Sequence, residues 1–260
     1  MSMANDVVLQ GSHIGKWFGR RSERRQVLFD VSVAVHAGEC LAVIGGSGSG
    51  KSTLTRILLG LETADAGTVT YQGADVTCGS RAAGYQALCR DSGLVYQDPF
   101  ASLNPRWTVA RSVGEPLHLR YRGMGSDDVA RRCAEALDTV GLEPSTFLNR
   151  YPVDLSGGQA QRVAIARAIV NNSKVLLADE PMSAIDVAAR VQILEAFAAI
   201  RRRTPDMALI VVSHDLGVVQ HLADRIVVLH DGRVEEEGPT ARILREPRNA
   251  YTRTLIEAAS

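Results

Sequence analysis

The chain has 260 residues, 45% of them hydrophobic and 22% charged, and its 29 basic side chains balance 29 acidic ones. That is the composition of an ordinary globular protein, which excludes a disordered or fibrous chain. A net charge of zero argues against a protein that coats nucleic acid, and no run approaches the roughly 18 apolar residues of a membrane span.

The length suits one domain, or a domain with a subdomain. The first residues, MSMANDVVLQGSH, place no basic stretch ahead of a long apolar core and do not read as a signal peptide. Cys40, Cys78, Cys89 and Cys133 show no metal or redox spacing. They read as reduced, structural thiols of a cytosolic protein.

In chain order, Val7 to Leu9 begins a strand. Lys16-Trp17-Phe18 and a basic run, Arg20 to Arg25, precede Val27 to Val35, whose alternation predicts an antiparallel strand. An aromatic shortly before the segment Gly45 to Ser52, which fits a phosphate-binding pattern, can stack on a nucleotide's adenine. Phe18 is the first choice and Trp17 the second, the alternative being an aromatic that merely packs.

Leu41 to Ile44 is a short apolar run suited to a buried parallel strand. It leads into Gly45-Gly46-Ser47-Gly48-Ser49-Gly50-Lys51-Ser52, which fits the phosphate-binding pattern G-x-x-x-x-G-K-[ST] at every fixed position. Leu54, Ile57, Leu58 and Leu61 then recur at helical spacing. Strand, glycine loop and helix in that order are the context the motif needs. The glycines let backbone N–H groups turn inward around phosphates, and the helix N-terminus adds a positive dipole end. Lys51 can place its ammonium on the terminal phosphates, a binding and catalytic role. The Ser52 hydroxyl can ligate Mg²⁺. Gly45, Ser47, Gly48, Ser49, Gly50, Lys51, Ser52 and Thr53 form the expected phosphate-binding set.

Beyond this loop, Ala64 to Gly67 is a turn, Thr68 to Gln72 a strand, and Gly79 to Arg90 loop and helix. Gly93 to Tyr96 is a strand ending at Gln97. Asp98 to Pro105 is rich in turn residues and is expected to break regular structure. Thr108 to Tyr151 reads as mostly helical, with Val129, Cys133, Ala136, Leu137 and Val140 along one face. Residues 99–152 are therefore expected to be a helical insertion within a single domain.

Leu155-Ser156-Gly157-Gly158-Gln159 leads a helix to about Ile169. Val175 to Ala178 is a buried strand closed by Asp179-Glu180-Pro181. Asp179, at a strand end beside a phosphate loop, can hold Mg²⁺ through water, and Glu180 can orient or deprotonate the attacking water. Val187 to Arg203 is a helix and Ala208 to Val212 a strand with His214-Asp215 at its end. Leu216 to Ala223 is helical. Arg225 to Leu229 and Arg233 to Glu236 form a hairpin across Asp231-Gly232. Two short helices, Thr240 to Leu244 and Tyr251 to Ala258, finish the chain. Alternating strands and helices predict an α/β fold with a mainly parallel core.

Ser156 and two glycines opening a helix make a second anion-receptive element, and one nucleotide rarely needs two cradles. With the motif order, this resembles the ATPase subunit of an ABC (ATP-binding cassette) transporter, from about Val7 to Ala258. The resemblance rests on the phosphate loop, Gln97, the signature Leu155 to Gln159, Asp179-Glu180, the loop Ser183 to Asp186, and His214. It implies a P-loop NTPase core with an N-terminal antiparallel β subdomain and the helical insertion. It also implies a head-to-tail dimer, with each ATP between one subunit's phosphate loop and the other's Ser156, Gly157, Gly158 and Gln159. His214 is then expected to contact the γ-phosphate, Gln97 to reach Mg²⁺ and relay to membrane subunits, and Asp186 to belong to the nucleotide set. The implied cofactors are ATP and Mg²⁺. The implied partners are a related ATPase subunit or a second copy, with a related subunit preferred, two membrane permeases and, indirectly, an external solute-binding protein, with no nucleic acid. The expected location is the cytoplasmic side of the membrane.

Gln97 to Arg106 is similar to a stretch of dipeptide, oligopeptide and nickel importers. The tail Pro247 to Leu255 resembles that branch's proline-tyrosine-threonine-arginine ending, with Ala250 in place of a proline. Its short form and lack of a cysteine cluster look closer to nickel or metal-chelate importers. Phe100 and Leu103 are expected at the surface as anchors for a permease helix, the alternative being that they tuck into their own domain. A competing reading is a non-transport ABC protein, such as a single-cassette accessory ATPase of phosphonate metabolism. Another is a cassette that binds ATP without cleaving it, against which Glu180 and His214 argue.

Overall fold

The structure is a computed structural model that describes residues 6–20, 24–183 and 185–258. Residues 21–23 of the basic run and Ala184 of the Ser183 to Asp186 loop lie outside the described residues.

The chain opens with β1 (Val7–Phe18) and β2 (Arg25–His36), then β3 (Cys40–Ile44), α1 (Lys51–Leu58), β4 (Ala66–Tyr71) and the short β5 (Ala74–Asp75). After α2 (Tyr85–Asp91) and β6 (Ser92–Val95) come α3 (Pro99–Ser102), α4 (Val109–Arg120), α5 (Ser126–Thr139) and α6 (Pro144–Phe147). The rest is α7 (Gly157–Ile169), β7 (Val175–Asp179), α8 (Val187–Arg203), β8 (Ala208–Val212), α9 (Leu216–Leu222), β9 (Arg225–His230), β10 (Arg233–Pro239), α10 (Thr240–Arg245) and α11 (Ala250–Glu257). This is the α/β alternation expected from the sequence. None of these helices is long and apolar enough to cross a membrane, among the described residues.

The chain forms two compact units, one ending at Arg90 and resuming at Ala208, the other running from Asp91 to Met207. The first unit holds an antiparallel sheet in the order β2-β1-β4-β5. β1 is much longer than its apolar start suggests. It carries register shifts between Gly11 and Ile14 and between Ile14 and Lys16, and His13 adopts φ 56°. Those bulges break the period-two alternation that marks a strand in sequence. Lys16, Trp17 and Phe18 therefore end a strand. Lys16 is buried, with its ammonium 2.6 Å from Glu62.

The same unit orders further strands as β10-β9-β3-β8. β3 pairs in parallel with both β8 and β9, and all five of its residues are fully buried. Side chains from β3, β9, α9 and α10 make one core of Ala42, Ile44, Val219, Ile226, Val228 and Ile243. β9 and β10 pair with His230 opposite Arg233. The turn residues Asp231 and Gly232 take φ 45° and 74°, as a tight hairpin of type I′ requires. Leu61 departs from the sequence reading: α1 stops at Leu58, and Leu61 is exposed beyond it. Gly60, at φ 69°, terminates the helix in the left-handed conformation that glycine accepts without strain.

The second unit pairs β6 and β7 in parallel. Gly93 on β6 is required by close approach, since a Cβ there would lie 2.3 Å from the Ala168 carbonyl oxygen of α7. The face read for α5 is buried at Val129, Cys133, Ala136 and Leu137, as is Val140 beyond its end. Burial pushes the Cys133 thiol up to about 11. All four cysteines are free.

Two details of the turn-rich stretch differ from expectation. Asp98 accepts hydrogen bonds from the Phe100 and Ala101 N–H groups, and Pro99 fills the first helical position, so α3 forms one capped turn. Leu103 is only 4% exposed while Phe100 is 45% exposed. The surface expectation therefore holds for Phe100 and fails for Leu103, which turns into its own unit.

The carboxylate of Glu236 holds the chain's tail. It accepts from the Arg248 and Asn249 N–H groups at 3.1 and 3.0 Å and from Arg242 at 2.8 Å. Burial alone would raise its pKa, but the backbone donors at Asn249 and Arg248 and the Arg242 guanidinium outweigh it and bring the pKa to about 2. A depressed carboxylate pKa stabilises the fold fully above the ordinary value and loses that contribution as pH falls through the folded one. Glu236→Gln is therefore expected to lower the melting temperature at pH 7. The gap from wild type should shrink below pH 4.5 and close near pH 2. Melting curves across that range check it, and a gap independent of pH would contradict it.

Candidate active site

β3 delivers the chain into the phosphate loop at a fixed point. Gly45 follows with φ 151°, and a Cβ there would lie 2.0 Å from the Leu229 carbonyl oxygen. Gly48 and Gly50 take φ 77° and 101°. The loop thus runs through a backbone region that other residues rarely adopt. Gly50 is the N-cap of α1, with no side-chain cap and no acidic residue in the first turn. Such an uncapped, acid-free N-terminus is receptive to an anion.

Lys51 is buried, and its ammonium donates to the carbonyls of Gly45 and Gly46 at 2.9 and 2.8 Å. Ser47 and Gly48 are exposed, and Ser52 and Thr53 half-buried, on the open side of the loop. The buried Ser49 hydroxyl has no hydrogen-bond partner among the described residues. A pocket of about 370 Å³ lies here, lined by Phe18, Arg25, Val27, Gly48, Gly50, Lys51, Ser52 and Thr53. The structure therefore brings Phe18 to the phosphate loop, with its ring exposed and the Lys16 ammonium 5.1 Å from the ring centre. Trp17 instead turns onto Gly15, with ring atoms 3.0 Å from where a Cβ would stand. In the sequence nothing distinguishes Arg25 from the other cations of its basic run. Pairing of β1 with β2 sets it opposite Phe18. His214 lies in the same unit, exposed between β8 and α9.

The remaining residues belong to the second unit. Gln97 is exposed just after β6. Asp179 ends β7, half-buried. Glu180 follows with φ 47°, while the Ser183 N–H and hydroxyl both donate to its carbonyl at 3.3 Å. A non-glycine residue in this region carries local strain, a feature that gathers at functional sites.

The signature opens α7 through a capping box. The Ser156 hydroxyl accepts from the Gln159 N–H at 3.3 Å, and the Gln159 side chain accepts from the Ser156 N–H at 2.9 Å. Asp186 caps α8 by accepting from the Ala189 N–H at 2.9 Å. The two signature glycines differ. A Cβ on Gly157 would meet Ile185 at an ordinary 3.6 Å, whereas one on Gly158 would stand 2.5 Å from the Ala189 Cβ. α7 and α8 thus approach closely at Gly158, a demand invisible in a contiguous motif. No group of three or more His, Cys, Asp or Glu suited to a metal occurs among the described residues.

Residues 28–183 match the ABC transporter family. The oligopeptide transport ATP-binding protein OppF of Lactococcus lactis subsp. lactis is 38% identical over 242 residues, 93% of this chain and 75% of that one. The glutathione import ATP-binding protein GsiA of Salmonella choleraesuis is 40% identical over 241 residues, 93% of this chain but 38% of that one. Among solved structures, the dimeric ATP-binding cassette MJ0796, in a post-hydrolysis state bound to ADP and Pi, superposes with a TM-score of 0.79 at 33% identity, covering 89% of this chain and 98% of that one. The cbiO1 protein of Clostridium perfringens, part of the ABC transporter complex cbiONQ, gives 0.81 at 26% identity, covering 93% and 92%.

Gly158→Ala is expected to destabilise the second unit by about 1–3 kcal/mol, the usual cost of overpacking. Gly157→Ala should melt close to wild type. Thermal melts of the two variants check this asymmetry, and equal melting temperatures would contradict it.

Proposed function

The chain belongs to the ABC transporter family and is an ATP-binding ATPase, and we propose that it energises import of a peptide-like solute through separate membrane permeases. The observation that carries the nucleotide site is the pocket running from Phe18 to the phosphate loop. Its donor chemistry fits a nucleoside triphosphate: an aromatic face at one end, and glycine backbone, Lys51 and a helix N-terminus at the other. Support for a peptide-like solute comes from the relatives named for oligopeptide and glutathione transport.

In this reading Phe18 stacks on the adenine. Gly45, Ser47, Gly48, Ser49, Gly50 and Thr53 shape the backbone cradle around the phosphates, and Lys51 holds the β/γ-phosphates. Ser52, Gln97 and Asp179 hold Mg²⁺, in part through water. The ion supplies neutralisation of phosphate charge. A set so poor in carboxylates suits Mg²⁺, which keeps waters and leans on substrate phosphates. Glu180 orients and deprotonates the attacking water, and His214 contacts the γ-phosphate. Ser156, Gly157, Gly158 and Gln159, with Asp186, meet the nucleotide of a head-to-tail partner, preferably a related ATPase subunit. The chain then works on the cytoplasmic side of the membrane, with residues 99–152 as a helical insertion that meets the permeases.

Lys51→Ala is expected to nearly abolish ATP binding by removing a charge-assisted contact. Glu180→Gln should keep binding and slow hydrolysis by ~10²–10⁴-fold, the usual worth of a positioned base. Equilibrium binding with turnover checks both, and near-normal turnover of Glu180→Gln would reassign the base. Deleting the gene should abolish uptake of a labelled tripeptide and spare that of nickel, and the reverse pattern would overturn the peptide assignment.

Phe100 is the exposed anchor proposed for the permease helix, and its truncation is expected to cost over ~1–2 kcal/mol of docking energy. Phe100→Ala should lose permease in pull-down while melting like wild type. Leu103→Ala, being a core truncation, should lower stability by about 2–5 kcal/mol. Unchanged assembly of Phe100→Ala would sink the anchor.

A further inference from the structure

The tail motif around Tyr251 remains outside every role assigned above, yet its side chain reaches the phosphate loop. The Gly46 N–H donates to the Tyr251 hydroxyl at 2.9 Å. That N–H shares one peptide group with the Gly45 carbonyl, which accepts from the Lys51 ammonium at 2.9 Å. Tyr251 and Lys51 therefore grip opposite edges of a single planar unit. A Cβ on Gly46 would stand a tight 3.1 Å from the Tyr251 oxygen, so a side chain there would push the hydroxyl back by a few tenths of an ångström.

The tyrosine is itself held from several sides. Its ring stacks on His230, with centroids 3.7 Å apart and planes 21° from parallel. It packs against the core that includes Ala42 and Ile44 of β3. Asn249 caps α11 and accepts from the Tyr251 N–H at 2.7 Å. Glu236 clamps the two preceding N–H groups, at Arg248 and Asn249. A second brace comes from the β9–β10 turn, whose Gly232 N–H donates to the Ser49 carbonyl at 3.1 Å.

We propose that Tyr251 is a positioning residue for ATP binding: its hydroxyl fixes the peptide group between Gly45 and Gly46, and through it the seat of Lys51. The tail helix is then part of the nucleotide site, acting from behind the loop without touching ATP. The proposal rests on the ATPase reading for its effect on nucleotide affinity, while the brace itself is testable without nucleotide.

The experiment uses the full chain with Tyr251→Phe, which keeps the ring and its stack and deletes only the hydroxyl. Arg253→Ala, exposed on the same helix, is the control. Loss of one hydrogen bond to the loop is expected to raise the Kd and KM for ATP about fivefold to tenfold. The melting temperature and the turnover at saturating ATP should stay near wild type. Hydrogen exchange at the Gly46 amide should quicken in the absence of nucleotide. Arg253→Ala should match wild type in every measurement. Wild-type affinity and wild-type Gly46 exchange in Tyr251→Phe would overturn the proposal. So would an equal loss of affinity in Arg253→Ala, which would signal general loosening of the tail. If the wild-type chain bound no ATP, the ATPase reading would fall, and Gly46 exchange would still decide the brace.

Discussion

Pairing of β3 on both sides is the constraint from which the rest of the nucleotide site follows. Its five residues are fully buried between β8 and β9. Each of its large apolar side chains contributes about 1.5–3 kcal/mol by burial. A strand so held cannot slide, because a one-residue slip would break both ladders. The first loop glycine consequently arrives directly over the Leu229 carbonyl, where no side chain fits. The same β9 then turns at Asp231-Gly232 and returns a backbone donor to Ser49. A loop near residue 45 is thus shaped by residues near 230, and those residues are in register only because β9 pairs with β3.

Residues assigned to nucleotide chemistry also carry structural duties. Ser156 and Asp186 cap helices with the oxygens that a nucleotide contact would use, and an N-cap is worth about 1 kcal/mol. Gly158 sits where two helices touch. Glu180 holds a strained backbone, stabilised by the turn that Ser183 closes onto its carbonyl. Loss of activity at these positions therefore mixes chemistry with fold, whereas Phe18 is a cleaner probe. Lys51 too is tied to the loop, through the Gly45 and Gly46 carbonyls, while the ring of Phe18 is exposed.

What was legible in the sequence was contiguous. The phosphate loop, the β3 run, the acidic pair after β7 and the Asp231-Gly232 turn each state their geometry within a few residues. The bulges of β1 interrupt its alternation, so the sequence marks only the start of that strand. The turn formers of Asp98 to Pro105 suggest a surface segment but say nothing about which way one leucine points, and Leu103 is buried. The packing demand on Gly158 comes from Ala189, on another helix, and composition cannot announce it. Tyr251 and Gly46 are 205 residues apart. The tail motif could be seen in sequence, but its target could not.

The link between tail and loop has a simple mechanical basis. A peptide group is planar, with a barrier of about 18–20 kcal/mol against twisting. Its carbonyl cannot rotate without carrying the N–H of the next residue with it. A hydroxyl that fixes the Gly46 N–H therefore also fixes the direction of the Gly45 carbonyl, across a unit that stores almost no slack. Glycine on both sides makes this necessary. Neither residue has a side chain to restrain its dihedrals, and the conformational freedom that lets the loop wrap around phosphates also lets it wander. The restraint must come from elsewhere in the chain, and the buried Glu236 clamp supplies it by holding the tail through backbone donors rather than through flexible side chains alone. Permissive glycines in front and a rigid tyrosine behind are two halves of one solution: a loop free to adopt an unusual shape, held to a single version of it.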